Sequence, residues 1–136
     1  MLPSKHPLRE PSKETDEIAH KLIGALIEVH RKLGPGFIEK IYEEAVCLEL
    51  KKRDIAYERQ VVVNVFYDGS IIGEGRIDLL IEKKIILELK AVESISPVHQ
   101  AQIMSYLRMT NLELGLLVNF NVAVLKNGIK RVVFSK

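Results

Sequence analysis

Cysteine is almost missing from this chain: among 136 residues only Cys47 occurs. A lone thiol excludes an internal disulfide framework and a cysteine-rich zinc site, and Cys47 falls where a small apolar residue serves a helix. Long apolar runs are missing too. The longest are short and broken by charges, none nears the roughly eighteen residues of a membrane span, and the N-terminus lacks an apolar signal core. These absences lead us to expect a soluble, cytoplasmic protein with no membrane partner. Four histidines, at positions 6, 20, 30 and 99, show no zinc-ligand spacing. There is no GxxxxGK[ST] or GxGxxG loop, no HExxH, and no serine in a strand-to-helix elbow, so the chemistries those motifs carry are set aside. Charge imbalance is also slight. A net charge of +2 and a pI near 8.6 permit nucleic-acid binding without requiring it. The basic clusters Lys51-Lys52-Arg53, Lys83-Lys84 and Lys126 with Lys130-Arg131 read first as solvated turns and helix ends.

What is present fits one α/β domain. An apolar fraction of 47% at this length suits a single core. Pro3, Pro7 and Pro11, with few large apolar residues, predict a flexible arm over 1–12 and a single domain over 13–136. A first helix is expected with Thr15 as N-cap and Asp16 and Glu17 in its first turn, burying Ile18, Leu22, Leu26, Val29 and Leu33 and ending at Gly34-Pro35-Gly36. A second, over about 38–53, is expected to bury Ile41, Ala45 and Leu48. The period then changes from helical to alternating. Three antiparallel strands are predicted between Tyr57 and Val92, cut at Asp68-Gly69 and at Glu82-Lys83-Lys84. A crossing helix from about Val98 to Met109 follows the Pro97 start signal, "LGLLVNF" reads as a further, buried strand, and "VAVLKNGIKRVVF" predicts a C-terminal β-hairpin turning at Asn127-Gly128.

The chemistry concentrates in "GRIDLLIEKKIILELKAV", Gly75 to Val92. Charges inside buried strands need partners, because an isolated ion there costs several kcal/mol or more. Pairing of the two strands about Lys83 sets Asp78 opposite Glu88 on one sheet face, with Lys90 one step along the same face. A two-residue turn shifts that register and sends Asp78 to the other face. Two opposed acids repel unless something positive lies between them. Either a divalent metal, with hard oxygen ligands suiting Mg²⁺ or Mn²⁺, or a structural ion pair from Lys90 to Glu88 or Asp78 meets that need. On helices, Glu39 shares a face with Tyr42 and Glu43, and its bland role is to meet the dipole at a helix start. His99, Gln102 and Tyr106 form a polar stripe that, by spacing alone, reads first as a solvated or core-edge face. His30 is open between a role at a helix end and a phosphate contact.

Asp78, then Glu88-Leu89-Lys90, resembles the D...(D/E)xK signature of the PD-(D/E)XK nuclease superfamily, with Ile77 where that pattern nominally has proline. "GFIEKIY", with Gly36, Glu39 and Tyr42, resembles the element that gives the GxxExxY protein family its name, and Gln102 and Tyr106 in "HQAQIMSYL" are similar to the QxxxY element of exonuclease-type members. The resemblance runs from about Thr15 to Arg131 in the right order. It implies a restriction-endonuclease-like core: N-terminal helices and a mixed sheet of three antiparallel strands plus one after a crossing helix. It also implies a nuclease hydrolysing phosphodiesters, DNA as substrate, and Mg²⁺ or Mn²⁺ as cofactor. Asp78 and Glu88 would bind the metal with Glu39 in support, Lys90 would act on the attacking water or the phosphoryl charge, and Gln102 and Tyr106 would touch substrate or hold Lys90. The alternative is a catalytically inactive module of the same fold binding a nucleic acid or protein partner. A homodimer or a larger nuclease complex is compatible with either.

Overall fold

The computed structural model describes residues 10–135, so Pro3 and Pro7 of the expected arm lie outside the described residues. The chain runs α1 (Lys13–Leu33), α2 (Glu39–Lys52), β1 (Tyr57–Tyr67), β2 (Ser70–Ile81), β3 (Ile85–Lys90), α3 (Pro97–Thr110), β4 (Leu114–Asn119) and β5 (Ile129–Val133), with a short 3-10 turn, Leu125–Gly128, before β5. The strands form one five-stranded sheet in sequence order. Only β3 and β4 are parallel, as their connection through α3 requires, and the other neighbours are antiparallel. The expected α/β class and mixed sheet hold. No helix among the described residues is long and apolar enough to cross a membrane.

Two apolar layers flank the sheet. On one side α1 and α2 pack Leu22, Leu26, Tyr42, Val46 and Leu50 onto Leu79, Leu87 and Val118. On the other, α3 packs Ile103, Tyr106 and Leu107 onto Ile77, Ile86 and Leu117. The middle strands β3 and β4 are therefore buried along almost their whole length, because both of their faces are covered, and Glu88, Lys90 and Asn119 are their only polar residues. Gly115 lets α3 approach the sheet: a Cβ there would lie 2.5 Å from Ile103 Cγ2.

Three local expectations are corrected. Helix α1 begins one turn earlier than Thr15, because Ser12 is the N-cap and its hydroxyl accepts from the Thr15 N–H at 3.2 Å. Thr15 is buried inside the first turn and hydrogen-bonds the Ser12 hydroxyl. Helix α2 presents the neighbouring stripe to the core: Tyr42, Val46, Cys47 and Leu50 are buried, while Ile41 and Leu48 are exposed. Both stripes are apolar in sequence, and the aromatic bulk of Tyr42 decides between them. The C-terminal hairpin exists, but its arms are β4 and β5 rather than two halves of "VAVLKNGIKRVVF". Residues 120–128 instead cover the end of the helical layer, with Phe120 and Leu125 buried. Gly128 is needed there for close approach, since a Cβ would collide with the Asn119 carbonyl oxygen.

The Gly34-Pro35-Gly36 connection positions the start of α2. Gly34 and Gly36 take φ of 67° and 115°, conformations closed to most side chains. Tyr42 ties this loop down: its hydroxyl donates to the Gly34 carbonyl at 2.6 Å and accepts from the Phe37 N–H at 3.2 Å. Its ring stacks on Phe120 at 4.4 Å between centroids.

Candidate active site

Asp78 lies on β2 and Glu88 on β3, and the turn between those strands brings them together. Glu82 and Lys83 adopt φ of 51° and 57°, closing a three-residue connection. Pairing is centred on Lys83, as expected: Ile81 faces Ile85, Leu80 faces Ile86, and Leu79 faces Leu87. At the next step the backbone ladder stops and the carboxylates replace it. The Asp78 N–H donates to Glu88 Oε2 at 2.8 Å, and the Leu89 N–H donates to Asp78 Oδ2 at 2.8 Å. Strands that part leave amides without carbonyl partners, and here each acid satisfies a donor on the opposite strand.

The same place marks a reversal of the sheet faces. Ile77 and Leu79 are two residues apart, yet Ile77 packs in the α3 layer and Leu79 in the α1–α2 layer. Gln60 and Asp78 are skipped in the β1–β2 pairing, and Gln60 has φ 52°, an uncommon backbone state for a side chain of its kind. Strand β2 thereby turns Asp78 toward a cleft of about 900 Å³ lined also by Gly36, Phe37, Glu39, Lys40, Glu43, Arg59 and Gln60.

Electrostatics at the pair are unfavourable as it stands. Glu88 is only 4% exposed. Burial, and next the Asp78 charge, push its carboxyl up to about 8, against the opposing pull of the Asp78 N–H and Lys90. Asp78 is also raised, chiefly by burial and then by the Glu43 and Glu39 charges, while the Leu89 N–H and Lys90 pull it down. Lys90 is half-buried and its ammonium forms no ion pair or hydrogen bond among the described residues, so it acts on both acids through space. The ion pair weighed from sequence is therefore not formed as a contact.

The donor set suits a hard divalent cation. Asp78 and Glu88 each commit one oxygen to a backbone amide, and no hydrogen bond occupies Asp78 Oδ1 or Glu88 Oε1. No buried side-chain oxygen among the described residues lacks a partner, so these two reach solvent. Among the described residues no three acidic, histidine or cysteine side chains converge to hold an ion unaided. Two carboxylates suffice for Mg²⁺, which keeps several waters and takes other oxygens from substrate phosphate. Glu39 sits exposed at the start of α2 on the cleft wall and does not join the pair into a cluster.

The remaining sequence candidates divide. Tyr106 is buried in the α3 layer, where its hydroxyl accepts from the Arg76 N–H at 3.3 Å, two residues before Asp78. It packs over Gly75 so closely that a Cβ there would lie 2.6 Å from Tyr106 Cε1. Gln102, one turn earlier, is exposed and unpaired among the described residues. His99 Nδ1 accepts from the Ser96 N–H at 3.2 Å and completes a capping box for α3. His30 is buried, with Nε2 2.8 Å from the Val122 carbonyl oxygen, and joins α1 to the loop before β5.

Sequence inspection passed over two features of the site. Arg59 and Gln60 of β1 line the cleft and both hydrogen-bond Glu43, at 3.0 Å from Arg59 Nη2 and 3.1 Å from Gln60 Nε2. Asn119, at the end of β4, is 3% exposed and clamps Val92: its Oδ1 accepts from the Val92 N–H at 3.0 Å and its Nδ2 donates to the Val92 carbonyl at 2.9 Å. With the Phe120 N–H donating to the Lys90 carbonyl at 2.9 Å, this fixes the backbone that carries Lys90. A buried asparagine closing an apolar strand was the available signal.

The profile of the PD-(D/E)XK nuclease superfamily matches residues 16–132. No curated protein matches. Among solved structures, one described as "Crystal structure of SSO0001" is similar at 23% identity with a TM-score of 0.49. The likeness covers 71% of this chain and 49% of that one, so the chain spans about half the length of that relative.

Proposed function

The chain belongs to the PD-(D/E)XK nuclease superfamily, and from that premise we propose that it is a Mg²⁺- or Mn²⁺-dependent nuclease acting on DNA. The observation that carries this is the exchange of carboxylate-to-amide bonds between Asp78 and Glu88 at the point where β2 and β3 part. It holds two acids side by side, each with one oxygen still open to solvent. Gly36, Glu39 and Tyr42 support a finer placing in the GxxExxY family, because the glycine supplies the φ the loop needs and the tyrosine anchors that loop.

Asp78 and Glu88 would hold the cation, which when bound supplies positive charge to a phosphodiester and to the oxygen that attacks it. Lys90 extends from the same strand as Glu88 and draws both acids toward their charged forms. Its ammonium neutralises charge developing on a phosphoryl oxygen or orients the attacking water. Glu39 orients water or substrate at the cleft wall, and Lys40 gives the same wall a cation for phosphate. Gln102 and Tyr106 serve in support: Tyr106 holds β2 through the Arg76 amide, and Gln102 offers an exposed amide to substrate.

The test is cleavage of single- and double-stranded DNA and RNA by the purified protein with Mg²⁺ or Mn²⁺, beside Asp78→Ala and Lys90→Ala. Metal-dependent DNA cleavage lost in both folded variants supports the proposal. Absence of cleavage with either metal overturns it in favour of an inactive binding module.

A further inference from the structure

Beyond the three residues that pair with β3, strand β2 continues as a two-stranded ribbon with β1. The ribbon turns at Asp68-Gly69, where φ of 51° and 81° suit a tight hairpin. It carries a concentration of exposed apolar side chains: Val62 at 45%, Phe66 at 53%, Tyr67 at 67%, Ile71 at 59% and Ile72 at 65%. Strand β1 is also the outer strand of the sheet, so its far side meets no other strand among the described residues.

Outer strands are ordinarily guarded by lysine, proline or inward charge, because their free N–H and C=O groups template pairing with another chain. The run Val61 to Tyr67, "VVVNVFY", has none of these guards. Its one irregularity is a bulge between Val65 and Phe66, which leaves Val61 to Val65 regular. Charge narrows the choice of partner. Between Val61 and Gly75 the only charged residues are Asp68 and Glu74, so the ribbon repels a polyanion and cannot serve as a nucleic-acid arm. An uncharged strand placed antiparallel to its own copy brings apolar side chains against apolar ones and sets no like charges opposite each other.

We propose that the outer edge of β1, at Val61 to Tyr67, pairs antiparallel with the same edge of a second copy of this chain, joining two sheets into one across a two-fold axis. The two clefts are then fixed relative to each other, because Arg59 and Gln60, which line the cleft, belong to the strand that forms the joint. The surface stands on the fold and not on the nuclease proposal, so its test uses no activity.

Sedimentation velocity of the full chain at micromolar to hundred-micromolar concentration measures the association directly. A dimer is expected for the wild type. Val62→Lys with Phe66→Lys should weaken it at least tenfold in Kd, since two-fold symmetry counts each lysine twice. Both positions are exposed, so the circular dichroism spectrum should be unchanged, and the melting temperature should fall only by the concentration-dependent stabilisation that association gives the wild type. Amide hydrogen exchange supplies the positive signature: outward-facing amides within Val61 to Tyr67 are protected in the wild type and exchange freely in the double variant. A wild type monomeric throughout the range overturns the proposal. So does a dimer that survives both substitutions, which assigns the contact to another face, or association into species without a fixed size.

Discussion

The strand pair β2–β3 has two ends that behave in opposite ways. Near the turn, Leu79, Leu80 and Ile81 meet Leu87, Ile86 and Ile85 in a regular backbone ladder whose side chains fill both layers. One step further, Asp78 and Glu88 stand where the ladder ends, both driven toward their neutral forms by burial. The first end stabilises the fold, and the second is strained by it. Single substitutions should therefore separate stability at one end from activity at the other.

The largest separation is expected for Lys90→Ala against Leu87→Ala. Removing the ammonium should lower metal-dependent cleavage by roughly 10²–10⁴-fold, the range typical of a group acting in proton transfer or charge stabilisation. The melting temperature should hardly move, because the Lys90 ammonium makes no hydrogen bond or ion pair among the described residues and alanine keeps the backbone bonds of β3. Leu87 is fully buried. Its truncation should cost about 2–5 kcal/mol in denaturant unfolding, with cleavage per folded molecule near that of the wild type. A Lys90→Ala protein that melts far lower, or keeps full activity, erases the contrast.

Glu88→Gln sharpens it from the other direction. A carboxyl held at about 8 when folded, against an ordinary value near 4.5, binds more protons in the folded state than in the unfolded one between those pH values. Metal-free stability should therefore be greatest below about pH 4.5 as far as this group is concerned, and fall as pH rises toward 8. The loss is on the order of 3–5 kcal/mol at about 1.4 kcal/mol per pKa unit. Glutamine keeps the acceptor for the Asp78 amide and removes the charge. The variant should unfold at higher denaturant than the wild type at pH 8 in EDTA, yet cleave nothing. Millimolar Mg²⁺ should raise the wild-type midpoint at pH 8 and leave the variant unchanged, which reads metal binding without any substrate. A wild type whose metal-free stability rises with pH over this range contradicts a buried, proton-holding Glu88.

Much of this pair was legible in the chain, for a specific reason. The connection Glu82-Lys83-Lys84 is three residues long, so the register follows from symmetry about Lys83, and that places Asp78 beside Glu88. The apolar run of "LGLLVNF" likewise announced β4 as a buried strand. Other features depended on competition that one segment cannot show. Helix α2 has two apolar stripes, and which one is buried depends on Phe120 stacking against Tyr42 from 78 residues away. Asn127-Gly128 carries a hairpin signal, yet β4 already offers β5 a longer and better buried partner. The bend at Gln60 and Asp78, which opens the cleft, leaves no mark beyond a polar residue within "RQVVVNV". His30 and His99 were ambiguous because a histidine that holds a carbonyl or caps a helix has the same spacing as one that meets a phosphate.

The smallest expected effect concerns the motif that first drew attention to α2. Tyr42 is fully buried and lies one turn after Glu39, so a tyrosine in a nuclease-like helix invites a role at the metal. Its hydroxyl instead spans the Gly34 carbonyl and the Phe37 amide. Tyr42→Phe keeps the stack on Phe120 and deletes both bonds, leaving two backbone groups to find water at the mouth of the cleft. A loss of about 1–2 kcal/mol in denaturant unfolding is expected, the range for unsatisfied groups that are not deeply buried. Cleavage should fall only a few-fold, because the loop that presents Glu39 loosens while Asp78, Glu88 and Lys90 keep their places. A fall as deep as that of Lys90→Ala, with stability intact, would move Tyr42 from holding the loop to touching the substrate.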